Sequence, residues 1–338
     1  AWVDPAAAND FPVIDPSTEE TVGVISLGGQ ADTDAAVAAA NAAFPGWSEA
    51  DPDERIALVE RILDRYTARA GEIAQAVSLE MGAPIDFALS EQAAAGTTHI
   101  KAALSAARDY DFIRPLGPHA PRARILMDPV GTVAMITPWN WPMNQVTLKV
   151  IPALLAGCTM VLKPSEIAPL SSILFTEILH EAGVPAGVYN MVNGDGPGVG
   201  SQLSRHPGVD MVSFTGSTRA GIAISKAAAD TVKRVSLELG GKGANLVFAD
   251  AGAAAVRRGV ADMMENTGQS CNAPSRMLVE RSFYDDAVEI ARDAAEATRV
   301  GPASETGTHI GPLVSRAQWD NCLLYTSPSP RDCGPDLV

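Results

Sequence analysis

Cys271 is the residue of this chain best suited to nucleophilic chemistry. A thiol attacks carbonyl carbon well only as thiolate, so its surroundings must lower its pKa or supply a base. Its neighbours Thr267, Gly268, Gln269, Ser270 and Asn272 are small and polar, as in a loop at a working surface. A lone cysteine is more often a buried structural one, and Cys158, inside the apolar run 151–162, fits that fate. Glu238 stands 33 residues before Cys271 and is followed by Leu-Gly-Gly. A carboxylate there needs solvent or a partner; it is either a solvated edge residue or a general base. Asn140, framed by Pro138 and Pro142, reads either as a turn asparagine or as an amide aimed at a developing oxyanion. Lys163 and Glu166 lie three apart after an apolar run, and Ser165 between them suits the cap of a helix start. In Phe214-Thr215-Gly216-Ser217-Thr218, Gly216 lets backbone approach a phosphate and Ser217 can donate to it at a helix N-terminus. The glycine-rich stretch 194–200 is by default a plain loop.

These segments need elements to hold them. From about Val130, short apolar runs at 131–136, Thr159–Lys163, 188–192, 211–214, 235–239 and 245–248 alternate with helical segments. Most carry no polar alternation, so both faces are expected to be covered. Strands alternating with helices imply a parallel sheet in an α/β domain. Ligands of such sheets sit beyond the carboxyl ends of the strands. Segments 137–142, 163–166, 214–218, 238–242 and 268–271 are each expected to follow such a run. The first part of the chain reads as scaffold. Short strands and turns are expected over 11–27, and alanine-rich helices over 31–44 and 91–107. A further helix opens at Asp51-Pro52-Asp53-Glu54, which offers a cap and a first-position proline. Ile56, Val59, Ile62, Leu63 and Tyr66 then give it one apolar face.

Composition removes other classes of function. The chain is 46% hydrophobic and 19% charged over 338 residues, ordinary for one large or two smaller globular domains. A net charge of -15 repels phosphate backbones, which argues against nucleic-acid binding. Cys158, Cys271, Cys322 and Cys333 form neither a CxxC pair nor a zinc pattern, so no metal is expected and a reducing cytoplasm fits. The start lacks the features of a signal peptide. The most apolar stretch, 150–162, is too short and too broken to span a membrane.

Taken together, in order and spacing, Thr137-Pro138-Trp139-Asn140-Trp141-Pro142, Lys163-Pro164-Ser165-Glu166, Phe214-Thr215-Gly216-Ser217-Thr218, Glu238-Leu239-Gly240-Gly241-Lys242 and Gly268-Gln269-Ser270-Cys271 resemble the aldehyde dehydrogenase superfamily. The resemblance runs from about Phe11 to about Gln318. It implies an aldehyde dehydrogenase-like fold, with a parallel-sheet cofactor-binding domain over 1–240. A hairpin near 115–130 would help subunits assemble into a homodimer or homotetramer, and the first part of an α/β catalytic domain would cover 241–320. The implied reaction is oxidation of a small-molecule aldehyde to a carboxylic acid with NAD(P), through cysteine thiohemiacetal and thioester intermediates.

In that resemblance Cys271 is the nucleophile and Glu238 the base that activates water. Asn140 is an oxyanion donor together with the Cys271 backbone N–H, and Trp141 lines the substrate tunnel. Lys163 and Glu166 bind the adenosine ribose, with Ser165 beside them. Further cofactor contacts fall on Ile136, Thr137, Pro138, Trp139, Gly196, Gly200, Phe214, Thr215, Gly216, Ser217, Leu239 and Gly240. Glu166 suits the free hydroxyls of NAD and repels the extra phosphate of NADP, although the motif also occurs in relatives that use both. Relatives that pass the acyl group to coenzyme A generally lack the glutamate at position 238, so its presence favours acid formation.

Residues 311–318 still read like the family. From Asn321 the sequence departs, and three prolines at 328, 330 and 335 exclude a helix there. The expectation is a truncated family member with a foreign tail over 321–338. The alternatives are a dinucleotide-binding fragment without turnover, and a coenzyme-A-acylating enzyme.

Overall fold

The computed structural model describes the backbone of residues 2–325 and the side chains of residues 2–320. It opens with an antiparallel pair, β1 (Asp10–Ile14) and β2 (Thr21–Ser26). Three helices follow: α1 (Gln30–Ser48), α2 (Pro52–Ala68) and α3 (Ala70–Met81). The α2 start is built as the sequence suggests, with Pro52 in the first turn and the Asp51 carboxylate accepting from the Asp53 N–H at 2.8 Å. A continuous helical run then passes through α4 (Ile85–Phe87), a π-helical turn (Ala88–Ala93) and α5 (Ala94–Arg108). The hairpin expected near 115–130 is β3 (Ile113–Pro115) with β4 (Arg124–Leu126).

The central element is a five-stranded, wholly parallel sheet. Its strands are β5 (Thr132–Ile136), β6 (Thr159–Lys163), β7 (Tyr189–Met191), β8 (Met211–Gly216) and β9 (Arg234–Leu239), in spatial order β7-β6-β5-β8-β9. The connections are helical: α6 (Pro142–Ala156), α7 (Leu170–Ala182), α8 (Ser201–Arg205) and α9 (Thr218–Ala229). Every residue of β5 and β6 is buried, including Thr132, Thr159 and Lys163, in keeping with their mainly apolar sequence. Strand β9 is different. It lies at the sheet edge and alternates, with Arg234, Ser236 and Glu238 exposed.

One apolar core packs α2, α3, α5, α6 and α7 on one side of the sheet around Tyr66, Met143, Leu154 and Phe175. A second, smaller one lies on the other face around Val37, Val161, Val212 and Phe214. Beyond β9, β10 (Ala244–Val247) and β11 (Arg276–Val279) pair in parallel as a separate sheet. Helices α10 (Gly252–Met264) and α11 (Tyr284–Glu296) cover one side of it. Leu246, Phe248 and Leu278 are more than half exposed there. Helix α12 (Arg316–Tyr325) contains the point where the foreign tail was expected to begin, and the proline-rich residues of that tail lie outside the described residues. No helix among the described residues is long and apolar enough to cross a membrane.

Glu80, at the end of α3, is fully buried and accepts from the backbone N–H groups of Leu170 and Ser171 and from the Ser171 hydroxyl. It thereby supplies the acceptor that the α7 N-terminus lacks in its own sequence. Burial outweighs these bonds and pushes the carboxyl up from 4.5 to about 7. Between those values the folded chain holds a proton that the unfolded chain has released. Stability should therefore fall as pH rises through that window. Denaturant midpoints at several pH values should show the decline in the wild type and a flatter profile in Glu80→Gln. Parallel profiles would assign the decline to other groups.

Candidate active site

The order of the sheet creates the site. The chain builds β5, β6 and β7 outward in one direction, then returns to add β8 and β9 on the other side. The loops leaving β5 and β8 therefore diverge, and the crevice between them lies at the carboxyl ends of both strands. Ile136, Thr137, Pro138 and Trp139 end β5 and begin its loop, while Phe214, Thr215, Gly216 and Ser217 end β8 and cap α9. Lys163, Ser165 and Glu166 follow from β6, Gly196 and Gly200 lie after β7, and Leu239 and Gly240 end β9. All the expected cofactor positions thus share one edge of one sheet.

Local geometry there suits an elongated polyhydroxyl and phosphate ligand. Lys163 is buried and donates to Glu166 Oε2 at 3.1 Å and to the Gly194 carbonyl at 2.7 Å. Its burial lowers the ammonium pKa, opposed by Glu166 and Asp195. Glu166 stays a quarter exposed and so keeps acceptor capacity. The Asp195 carboxylate accepts from the Gly198 N–H at 2.6 Å and turns the glycine-rich stretch into a π-helical turn feeding α8. Ser217 Oγ caps α9 by accepting from the Ala220 N–H at 3.2 Å, which leaves its own proton to donate. The Thr215 hydroxyl is buried with no protein partner. These residues fit a bound dinucleotide. One expectation changes: Ser165 does not cap a helix. It accepts from the Ile167 N–H inside a turn, and α7 begins only at Leu170.

The loop of Cys271, the expected nucleophile, does not follow a strand, contrary to the sequence reading. It hangs between α10 and β11, on a turn at Glu265–Gly268. Two side chains at the β5 exit hold it. Asn140, 5% exposed, donates from Nδ2 to the Gln269 carbonyl at 2.8 Å. Trp141 donates from its indole nitrogen to Ser270 Oγ at 2.8 Å, and its ring packs edge-on against Phe87 at 5.7 Å. Asn140 and Cys271 are therefore brought together, and one N–H of the Asn140 amide remains uncommitted. Cys271 is partly exposed, whereas Cys158 is buried in the core as expected.

Glu238 is exposed on β9 and pairs in register with Thr215. Register also places it on the sheet face that carries Ser213, to whose hydroxyl Lys149 of α6 donates at 3.1 Å. Lys149 was not singled out from sequence, although it is the only charge in α6. Burial lowers its ammonium to about 8, with Glu238 opposing the shift. Gln92 and Asn266 were also missed. Gln92 Nε2 donates to the Asn140 carbonyl and to Asn266 Oδ1, both at 3.0 Å.

Comparison with known proteins shows the family. The model of the aldehyde dehydrogenase family matches residues 2–330. A curated relative, 3-succinoylsemialdehyde-pyridine dehydrogenase of a Pseudomonas species, is 53% identical over 94% of this chain and 66% of its own length. The crystal structure of an aldehyde dehydrogenase from Bartonella henselae is 57% identical and superposes with a TM-score of 0.93, over 95% of this chain and 67% of that one. A mutant aldehyde dehydrogenase C from Pseudomonas syringae, solved with NAD+ and octanal, is 44% identical with a TM-score of 0.92, over 95% and 65%. The chain spans about two thirds of the length of these relatives.

The Lys149–Glu238 coupling is measurable without turnover. Glu238→Gln removes the charge that holds the ammonium up, so the Lys149 titration should move below about 8. Competitive amine labelling against pH, read by mass spectrometry at Lys149, should show the shift; an unmoved midpoint would mean the two groups do not interact.

Proposed function

The chain belongs to the aldehyde dehydrogenase family, and from that premise we propose that it carries the machinery to oxidise an aldehyde to a carboxylic acid with NAD. The observation that carries this reading is the bond from the Asn140 amide to the Gln269 carbonyl, two residues before Cys271. It ties the amide proposed as oxyanion donor to the loop of a partly exposed thiol, which supports the reading. The Cys271 thiolate adds to the aldehyde carbon, and the free N–H of the Asn140 amide stabilises the oxyanion of the thiohemiacetal together with the Cys271 backbone N–H. NAD, when bound, supplies the hydride acceptor that takes this adduct to the thioester level. Glu238 then takes a proton from water, the hydroxide adds to the thioester carbonyl, and the acid leaves as the Cys271 thiolate is restored.

The remaining roles extend the same proposal. Lys163 and Glu166 would hold the adenosine ribose, and Gly216 and Ser217 the pyrophosphate at the start of α9. Residues 1–240 would form the cofactor domain and 241–320 the opening of the catalytic domain. The β3–β4 hairpin would serve subunit pairing, since Ile113, Leu116, Leu126 and Met127 are exposed on and beside it. The substrate class is a small aldehyde; the Pseudomonas relative is named for a pyridine semialdehyde, which makes keto-semialdehydes the first compounds to assay. The reaction would run in the cytoplasm.

With NAD and an aldehyde, the wild type should form NADH, and Cys271→Ala should form none while still binding NAD. Glu238→Gln should keep the first burst of NADH and lose most steady turnover, because the base acts after hydride transfer. Equal loss of burst and turnover would move Glu238 to an earlier step. Acceleration of steady turnover by coenzyme A would replace water with that acceptor. Glu166→Ala should raise the NADP:NAD ratio of kcat/KM by removing the carboxylate that repels a 2′-phosphate. An unchanged ratio would place discrimination elsewhere.

A further inference from the structure

The turn before Cys271 is built in a conformation its residues resist. Asn266 (φ 53°), Thr267 (φ 60°) and Gly268 (φ 71°) are three consecutive left-handed residues, and only the last is glycine. Such a conformation persists in non-glycine residues when surrounding structure imposes it. Thr267 is held from one side, its hydroxyl accepting from the Gly311 N–H at 3.1 Å. Asn266 is held from the other. Its Nδ2 donates to the Asn140 carbonyl at 2.9 Å and to the Gln269 carbonyl at 3.3 Å. The Asn140 carbonyl and Asn266 Oδ1 both accept from one further group, Gln92 Nε2.

Gln92 is completely buried and lies within the π-helical turn that interrupts α4–α5. π-turns of this kind recur at functional sites. Resting on the activity proposed above, we propose that Gln92 is a positioning residue. It clamps the left-handed turn 266–268 against the Asn140 turn and so sets where the Cys271 thiol meets the oxyanion donor. The side chain has two N–H groups, which face the two oxygen acceptors from two separate segments, with Met81 Sδ a weaker third acceptor at 3.7 Å. Losing the donor leaves Asn266 Oδ1 without its partner inside the core and the Asn140 carbonyl held by Asn266 Nδ2 alone. The turn is then free to relax toward right-handed geometry, and Cys271 moves with it.

The test uses Gln92→Met, which keeps length and apolar bulk, and Asn266→Gly, which tolerates positive φ but removes the bridging amide. Hydrogen exchange is read by mass spectrometry on the full chain. In both variants, peptides covering 265–271 should exchange at least about tenfold faster while β5 and β6 stay protected. The NADH burst should slow by about tenfold to a hundredfold with NAD affinity unchanged. Loosening spread over the whole chain would make Gln92 an ordinary core residue and overturn the proposal, as would unchanged exchange, or local loosening with an unchanged burst. A wild type without a burst would refute the activity alone, and the exchange pattern would still decide the clamp.

Discussion

Every strand of a parallel sheet ends on the same edge, so whatever follows the strands is gathered without further instruction. Here that edge collects loops from β5, β6, β7, β8 and β9. The reversal of direction between β7 and β8 opens the crevice at its centre. The apolar burial of β5 and β6 on both faces fixes the sheet, and the sheet fixes the site. The proposed nucleophile alone comes from elsewhere. Cys271 sits on a loop outside the sheet and has to be tied back to it by Asn140 and Trp141. The rest of the active-site geometry depends on that tie.

The tie explains why the asparagine at position 140 can be both a structural and a chemical residue. The sequence admits a turn asparagine or an oxyanion donor, and the structural contacts leave one amide N–H available for the proposed second task. Its backbone carbonyl accepts from Gln92 and Asn266, and one side-chain N–H holds Gln269. What remains is a single N–H in fixed orientation. Preorganisation of this kind is what gives an oxyanion donor its effect on rate, because little reorganisation is left when charge develops.

The parts of the fold legible in the sequence were those set by local pattern. Thr159–Lys163 reads as a short apolar, strand-like run, and β6 has those limits. Asp51 and Pro52 mark the start of α2 because capping is a local interaction. Gln92 was not legible. A π-helical turn has no composition of its own, and a glutamine in an alanine-rich helix gives no sign of pointing inward. Lys149 left only a faint trace, a single charge in an apolar helix, and its meaning depends on β8 and β9, more than sixty residues away. From sequence the loop of Cys271 reads as following a strand, because its segment looks like the others. Its neighbours are long-range partners, and periodicity carries no information about them.

Exposure divides the site into two halves with different physical demands. The Asn140–Gln92–Asn266 side is buried, since amides holding a strained turn are strongest where water cannot compete for them. A general base that works on water needs the opposite. It must be wet, yet held within reach. Strand β9 meets both conditions because it is an edge strand that alternates. Val235, Leu237 and Leu239 pack toward the second core, which anchors the backbone. Arg234, Ser236 and Glu238 face away from it, and Glu238 shares the sheet face of Ser213, to which Lys149 donates. A strand buried on both faces, like β5 or β6, could not carry such a carboxylate without a costly unpaired charge. The departure of β9 from the mainly apolar, buried pattern of β5 and β6 is thus the feature that lets the proposed base stand exposed at the sheet's edge.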